Sequence, residues 1–274
     1  MSLNRSTSLE LLESRGLAPK RKLGQNFVVD ANTVHRIARL AGVESGDRIV
    51  EIGAGLGALT GALLETGAKV TALEVDPDLA EILRSRPELS EARIVEGDAL
   101  RVDLDELAPP LEGPWSLVAN LPYNVATPVV LRVLESAPQI TRILVMVQLE
   151  VAERLAAGPG DEAYGGASVR VAYHATASVV GKVPPTVFHP RPRVDSGLVA
   201  MVRRSQPAVD PSVASEDEIF RLVRTAFGQR RKMLRRSLAS LVPAEAYDLA
   251  GIEPTARPEE LGVEDFGRLA AALR

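Results

Sequence analysis

The chain has no cysteine, which excludes a disulfide scaffold and thiolate metal sites and suits a cytoplasmic protein. It has no apolar run of about 18 residues or more, so no membrane span is expected. Histidine is scarce. His35, His174 and His189 lie far apart in sequence and none sits in a metal-ligand spacing, so no metal site is expected. There is no Gly-x-Ser-x-Gly elbow, no P-loop, no internal repeat and no low-complexity tract. An overall basic excess is missing too. The formal net charge of −4 argues against a uniformly basic nucleic-acid binder but leaves room for a local basic face. Met1 to Lys22 is polar and then basic, without the apolar core of a signal peptide.

What is present is an ordinary globular composition, 46% hydrophobic and 25% charged, over 274 residues. That length fits one large domain and a smaller one. The pattern centres on Trp115-Ser116-Leu117-Val118-Ala119, an apolar strand that breaks at Pro122. The break leaves the Asn120 carboxamide, a main-chain carbonyl at Leu121 and the Tyr123 ring at a strand's C-terminal end. In open α/β sheets, ligands bind there. Asn120-Leu121-Pro122-Tyr123 is a variant of the motif with which amino methyltransferases hold a nitrogen nucleophile. A plain turn with a packing tyrosine is the other reading of these four residues alone.

Upstream, Ser6 to Arg15 reads as a helix capped at Ser6 or Thr7. A basic loop, Pro19 to Phe27, follows, and then a helix from Asp30 to Ala41. Arg48 to Ile52 is a first strand, Gly53-Ala54-Gly55-Leu56-Gly57 a glycine loop and Ala58 to Glu65 a helix. Lys69 to Val75 is a second strand with Glu74 and Asp76 at its end. Strand, glycine loop, helix, strand and acid form the nucleotide-binding half of a Rossmann-like sheet. The glycines let backbone approach the ligand, and the acid can accept from ribose hydroxyls. The Gly-x-Gly-x-Gly spacing differs from the dinucleotide fingerprint, and no hydride-transfer site accompanies it, which argues against an oxidoreductase. S-adenosyl-L-methionine (SAM) has no pyrophosphate needing the helix N-terminus.

Further strands are expected at Arg93 to Glu96, Ile140 to Val147, Val169 to Val180 and Leu198 to Val202. Helices are expected at Pro77 to Arg84, Thr127 to Ser136 and Leu149 to Ala156. Together they give an α/β fold with a seven-stranded, mostly parallel sheet. Asp98, just past the third strand, is placed to accept from an adenine amino group or to close a turn. Gly158 to Gly166 reads as a mobile loop. The proline-rich stretch Pro184 to Ser196 cannot be helix or central strand, and could present Phe188 as one wall of a base pocket. Pro207 to Ser215 reads as a linker into a helical end, with helices over Glu216 to Ser240 (interrupted near Gly228), Ala244 to Ala250 and Pro258 to Leu273. From Arg221 to Arg236 there are seven basic residues and no acid, a concentration that suggests a phosphate-contacting surface.

Taken in order, these segments resemble the KsgA family of small-subunit ribosomal RNA adenine dimethyltransferases. The resemblance covers nearly the whole chain. It rests on Lys22 to Phe27, Glu51 to Thr60, Glu74-Val75-Asp76, Gly97-Asp98-Ala99, Asn120 to Asn124, Val147 to Val151, Phe188 to Ser196 and Phe227 to Lys232. It implies a Rossmann-like class I SAM-dependent methyltransferase with a small all-α C-terminal domain. The expected division is 1–206 catalytic, with a basic arm over 1–30, and 207–274 RNA-binding. The implied reaction is dimethylation at N6 of two adjacent adenosines in the 3′-terminal hairpin loop of 16S rRNA. The expected partner is that rRNA within a small-subunit precursor, met by a monomer with no membrane involvement.

Carried over by position, the catalytic set is Asn120, Leu121, Pro122, Tyr123 and Phe188. Asn26, Val28, Gly53, Glu74, Asp98 and Asn120 fall on SAM-contacting positions, and Gln25, Glu51, Gly55, Gly57, Val75 and Ala99 complete the expected cofactor set. RNA contacts are expected from Lys20, Arg21, Lys22, Arg221, Arg224, Arg230, Arg231, Lys232 and Arg235. Val28 departs from the family's usual leucine, and Ala167 and Arg236 also differ. The competing readings are a large-subunit rRNA adenine methyltransferase of the antibiotic-resistance type, and a non-catalytic RNA-binding assembly factor on the same fold.

Overall fold

Apolar runs alternate with amphipathic segments along the first two-thirds of the chain, and strands alternate with helices accordingly. The computed structural model describes residues 5–274; residues 1–4 of the expected arm lie outside them. The strands are β1 (Phe27–Val28), β2 (Arg48–Ile52), β3 (Lys69–Glu74), β4 (Arg93–Glu96), β5 (Trp115–Asn120), β6 (Ile140–Gln148), β7 (Ala175–Val183), β8 (Phe188–His189) and β9 (Ser196–Arg203). The helices begin with α1 (Arg5–Ser14), α2 (Ala31–Leu40), α3 (Ala58–Leu64), α4 (Pro77–Ser85), α5 (Leu104–Leu107), α6 (Ala126–Ser136) and α7 (Leu149–Ala156). They continue with α8 (Gly166–His174), α9 (Glu216–Phe227), α10 (Leu234–Ser237), α11 (Ala244–Ala250) and α12 (Val263–Ala271).

Seven strands form the main sheet, in the order β4-β3-β2-β5-β6-β9-β7. The pairs from β4 through β6 are parallel, and β9 runs antiparallel to β6. The central strands β2 and β5 are almost wholly buried, as parallel strands covered on both faces must be. Strand order reverses at β2, between β3 and β5, so the C-terminal ends of these strands flank the crevice where such sheets bind ligands. A separate two-stranded pair sets Phe27 opposite His189 and Val28 opposite Phe188. Asp30 caps α2 as expected, its carboxylate accepting from the Thr33 N–H at 2.8 Å. α1 starts at Arg5, so Ser6 and Thr7 lie within the helix rather than capping it.

Two compact units divide the chain: residues up to 152 together with 178–202, and residues 153–177 together with 203–274. The second unit therefore starts before the expected boundary at 207 and also takes in 153–177. Its core joins Val169 and Tyr173 of α8 to Ile219, Phe220 and Val223 of α9 and to Phe266 and Leu269 of α12. That packing explains a misread element. Val169, Val171 and Tyr173 look like strand residues, but Val169 and Tyr173 are four apart on one helical face and meet the core of the second unit. Tertiary burial overrides β propensity there, and the strand begins only at Ala175. Two segments expected to be loose are tied down. Tyr164, in the 158–166 loop, is buried and donates to the Leu261 carbonyl at 2.8 Å. In the 207–215 segment, Ala208 donates to the Tyr173 carbonyl and Ala214 is fully buried. The interruption expected near Gly228 within 216–240 falls there: α9 stops at Phe227 with Gly228 as its C-cap, and helix resumes as the short α10.

Candidate active site

The glycine loop between β2 and α3 turns back on itself with Gly53, Gly55 and Gly57 all in the left-handed region, φ +77°, +58° and +81°. Gly55 cannot be replaced without strain, because a Cβ there would lie 3.0 Å from the Phe27 ring and its φ disfavours any side chain. The loop is held by Glu74 at the end of β3. Its Oε2 accepts from the Gly55 N–H at 2.8 Å, and its Oε1 from the Asp76 N–H at 3.0 Å. Two accepted bonds leave the carboxylate with further acceptor capacity. Burial raises the Glu74 pKa, and these main-chain donors oppose the shift.

A cavity opens between this loop, the arm residues Leu23–Val28 and the Asn120–Tyr123 turn. Of the expected cofactor residues, Gln25, Asn26, Val28, Glu51, Gly53, Gly55, Glu74, Val75 and Asn120 line it. Gly57 does not, and instead turns the chain into α3 with Leu83 and Leu89 packed close against it. An adjoining, mostly apolar hollow shares Gly53, Val75 and Pro122 with the first cavity, and carries Asp98 and Ala99. Asp98 closes a turn by accepting from the Leu100 N–H at 2.9 Å through one oxygen, and its other oxygen lies 3.7 Å from the Arg101 guanidinium. Glu51 is buried beneath the loop and accepts from the Thr60 hydroxyl at 2.6 Å. Burial pushes its pKa up to about 8; the Thr60 bond opposes the shift and the charge of Glu74 adds to it.

The turn after β5 is fixed by its neighbours. The Asn120 Nδ2 donates to the Asn26 carbonyl at 3.2 Å, and Asn26 in turn donates from its own amide to the Gly24 carbonyl at 3.1 Å. The carboxamide oxygen of Asn120 is thereby left as an acceptor. The Leu121 N–H donates to the Met146 carbonyl at 3.1 Å, which locks the backbone before Pro122. Tyr123 lines the cavity, and its phenol pairs with the Ser196 hydroxyl at 2.7 Å. Burial raises the Tyr123 pKa, with the Ser196 bond opposing. Ser196, fully buried at the start of β9, stands out in the sequence only as part of a longer pattern. Its role depends on β9 lying beside β6, which no local signal reveals.

Three expected assignments change. Phe188 is fully buried in the core formed with Val28, Val34, Ile37, Val118 and Leu144, so it is a packing residue and not a wall of this cavity. Lys20 is not a free cation: its Nζ lies 2.7 Å from Asp76 and 2.8 Å from Asp78. Gln25 joins the same cluster, donating to Asp76 at 2.9 Å and accepting from the Lys20 N–H at 2.7 Å. Burial disfavours the charged form of Asp76, but Lys20 and Gln25 outweigh it and hold the carboxyl below the usual range. The cluster latches the arm to the end of β3. Arg230 pairs with Glu259 at 3.1 Å and donates to the Glu162 carbonyl at 2.9 Å, tying together the second unit. Arg21, Lys22, Arg221, Arg224, Arg231, Lys232 and Arg235 are exposed.

The site suits SAM on its own chemistry. It pairs buried acids and a glycine cradle that a single Cβ would obstruct with an apolar hollow edged by one carboxylate. The comparisons agree. The family model described as ribosomal RNA adenine dimethylase matches residues 16–274. A ribosomal RNA small subunit methyltransferase A from Kineococcus radiotolerans is 50% identical over 273 residues, covering 96% of this chain and 88% of the relative. One from Cutibacterium acnes is 48% identical, with 99% and 94% covered. Among solved structures, the 23S rRNA methyltransferase ErmE superposes with a TM-score of 0.70 at 27% identity, covering 90% of this chain and 99% of its own. A Plasmodium falciparum dimethyladenosine transferase shares the fold at a TM-score of 0.72 and 23% identity, with 88% and 94% covered. The fold, the SAM-type cavity and a match over nearly the full length lead to one conclusion: this chain belongs to the ribosomal RNA adenine dimethylase family.

Proposed function

We infer that the protein transfers methyl groups from SAM to N6 of two adjacent adenosines in the 3′-terminal hairpin loop of small-subunit rRNA, within a precursor of that subunit. The observation that carries this reading is the Asn120 carboxamide, held by the Asn26 carbonyl beside the cofactor cavity with its oxygen free to accept. The relatives named for the small subunit, near 50% identity over almost the whole chain, support the choice of subunit over that of ErmE at 27%.

The adenine N6 lone pair is delocalised into the ring, which makes it a weak nucleophile. N6–H bonds to the Asn120 oxygen and the Leu121 carbonyl favour a pyramidal nitrogen whose lone pair points at the methyl donor. Tyr123, its phenol pinned by Ser196, offers a face on which the extruded base stacks, worth about 1–3 kcal/mol. When bound, SAM supplies the methyl group on a positively charged sulfur. Glu74 would accept from its ribose and Asp98 from its adenine amino group. Rate enhancement then comes from positioning and from carbonyl dipoles facing a nitrogen that becomes cationic. No strong base is required, because that nitrogen sheds its proton readily. A loop adenosine is already partly unstacked, which lowers the cost of bringing it into the pocket.

The exposed cations of the second unit grip the RNA backbone. Reversing Arg231, Lys232 and Arg235 to glutamate weakens RNA binding and flattens its salt dependence, by about 0.7–0.9 in the log–log slope for each phosphate that is no longer neutralised. SAM affinity stays unchanged. Arg230 is spared in this variant because it holds the unit together. Filter binding at several salt concentrations checks this; an unaltered slope contradicts it. The subunit assignment is tested by rescue. Expression in a kasugamycin-resistant null strain restores sensitivity, whereas macrolide resistance would instead mark a large-subunit enzyme.

A further inference from the structure

The cavity walls hold two carboxylic acids, Glu51 and Glu74, and no lysine, arginine or histidine. Both acids are almost sealed from solvent, at 1% and 4% exposure. Glu74 is compensated by two main-chain N–H donors. Glu51 has one hydrogen-bond donor, the Thr60 hydroxyl. The charged group that bears on Glu51 from β3 is Glu74, of the same sign. α3 contributes only the neutral Thr60. The arm and the β5 turn contribute neutral groups to the lining: Gln25, Asn26, Asn120 and Tyr123. Lys20, the arm's cation at this end, is committed to Asp76 and Asp78 outside the lining. A second buried negative charge in such a place is unfavourable without a cation to answer it.

We propose that Glu51 is a specificity-determining residue that reads the charge of the methyl donor: it stays a neutral acid in the ligand-free cavity and releases its proton to solvent when SAM binds. The proposal rests on the cavity being the SAM site. SAM carries a sulfonium, an ammonium and a carboxylate, for a net charge of +1. Its demethylated product, S-adenosylhomocysteine, has a neutral thioether in place of the sulfonium and no net charge. An ionised Glu51 therefore favours the charged donor over the spent product, and the preference strengthens as pH rises toward the pKa of the empty site, about 8. Loss of the sulfonium charge on methyl transfer lets Glu51 take a proton back, which favours exchange of product for fresh donor.

Isothermal titration calorimetry of the full chain at pH 7, in phosphate and in Tris, counts the protons released per ligand bound. Close to one proton is expected for SAM and less than half of one for S-adenosylhomocysteine. Lowering the pH from 8 to 6 weakens SAM binding by up to tenfold per unit, with a shallower slope for the product. In Glu51→Gln the SAM proton count falls to near zero, the pH slope flattens and the preference for SAM over product narrows. The comparison of two ligands on the unaltered protein carries the test even where that variant folds poorly. SAM binding with no proton released, or with equal counts for SAM and product, overturns the proposal. So does an unchanged proton count in folded Glu51→Gln. Absence of SAM binding altogether would contradict the cofactor assignment instead, so the two failures are distinguishable.

Discussion

Asn120→Ala is expected to lower kcat for methyl transfer by about 10²–10³-fold while SAM affinity changes only a few-fold. The magnitude follows from removing one pre-positioned dipole aimed at charge that develops in the transition state. Asn120 suits this role because its amide nitrogen is occupied by the Asn26 carbonyl and its backbone runs into a turn locked at Leu121. Its oxygen therefore keeps its direction before substrate arrives. Asn120→Asp sharpens the test. A carboxylate retains an acceptor but loses the donor to Asn26 and faces that carbonyl's own lone pairs. A comparable loss of kcat is expected from this nearly isosteric change. Single-turnover kinetics with saturating SAM measures both variants. A wild-type rate in Asn120→Ala with normal SAM binding would remove the nitrogen clamp from the mechanism.

The second large effect is on stability. Phe188→Ala is expected to cost about 3–5 kcal/mol, since the ring is fully buried among Val28, Val34, Ile37, Val118 and Leu144. For a chain of this size the melting temperature falls by on the order of 10 °C. SAM binding weakens along with it, because Phe188 pairs in register with Val28, and the arm residues just before Val28 line the cavity. Phe188→Leu keeps most of the volume and is expected to cost less than about 1.5 kcal/mol. Calorimetric melting of both variants decides the point. A base-stacking role for this ring would show instead as unchanged melting with a raised KM for RNA.

What could be read from sequence divides along a physical line. The glycine loop, Glu74 and the Asn120–Tyr123 turn are legible because their function is written in backbone conformation over a few consecutive residues. Left-handed glycines and a proline after a buried strand look the same wherever they occur. The parallel strands were legible because burial on both faces makes them continuous apolar runs. Phe188 was not, since a phenylalanine in a proline-rich loop looks exposed until the β1–β8 pairing places it over the core. Lys20 and Arg230 read as members of basic clusters, and only the fold brings Asp76 and Asp78 to one and Glu259 to the other. Val169 and Tyr173 of α8 misled in the opposite sense, because the core they join is built from α9 and α12, far along the chain. Ser196 went unread for the same reason.

The most direct test of the central claim is transfer of labelled methyl groups from SAM to purified small ribosomal subunits lacking the modification, followed by mapping of the modified bases. The predicted result is two methyl groups on N6 of each of two adjacent adenosines in the 3′-terminal hairpin loop, abolished by Asn120→Ala. Label on another base, label preferentially on large subunits, or no transfer by protein that binds SAM would contradict it.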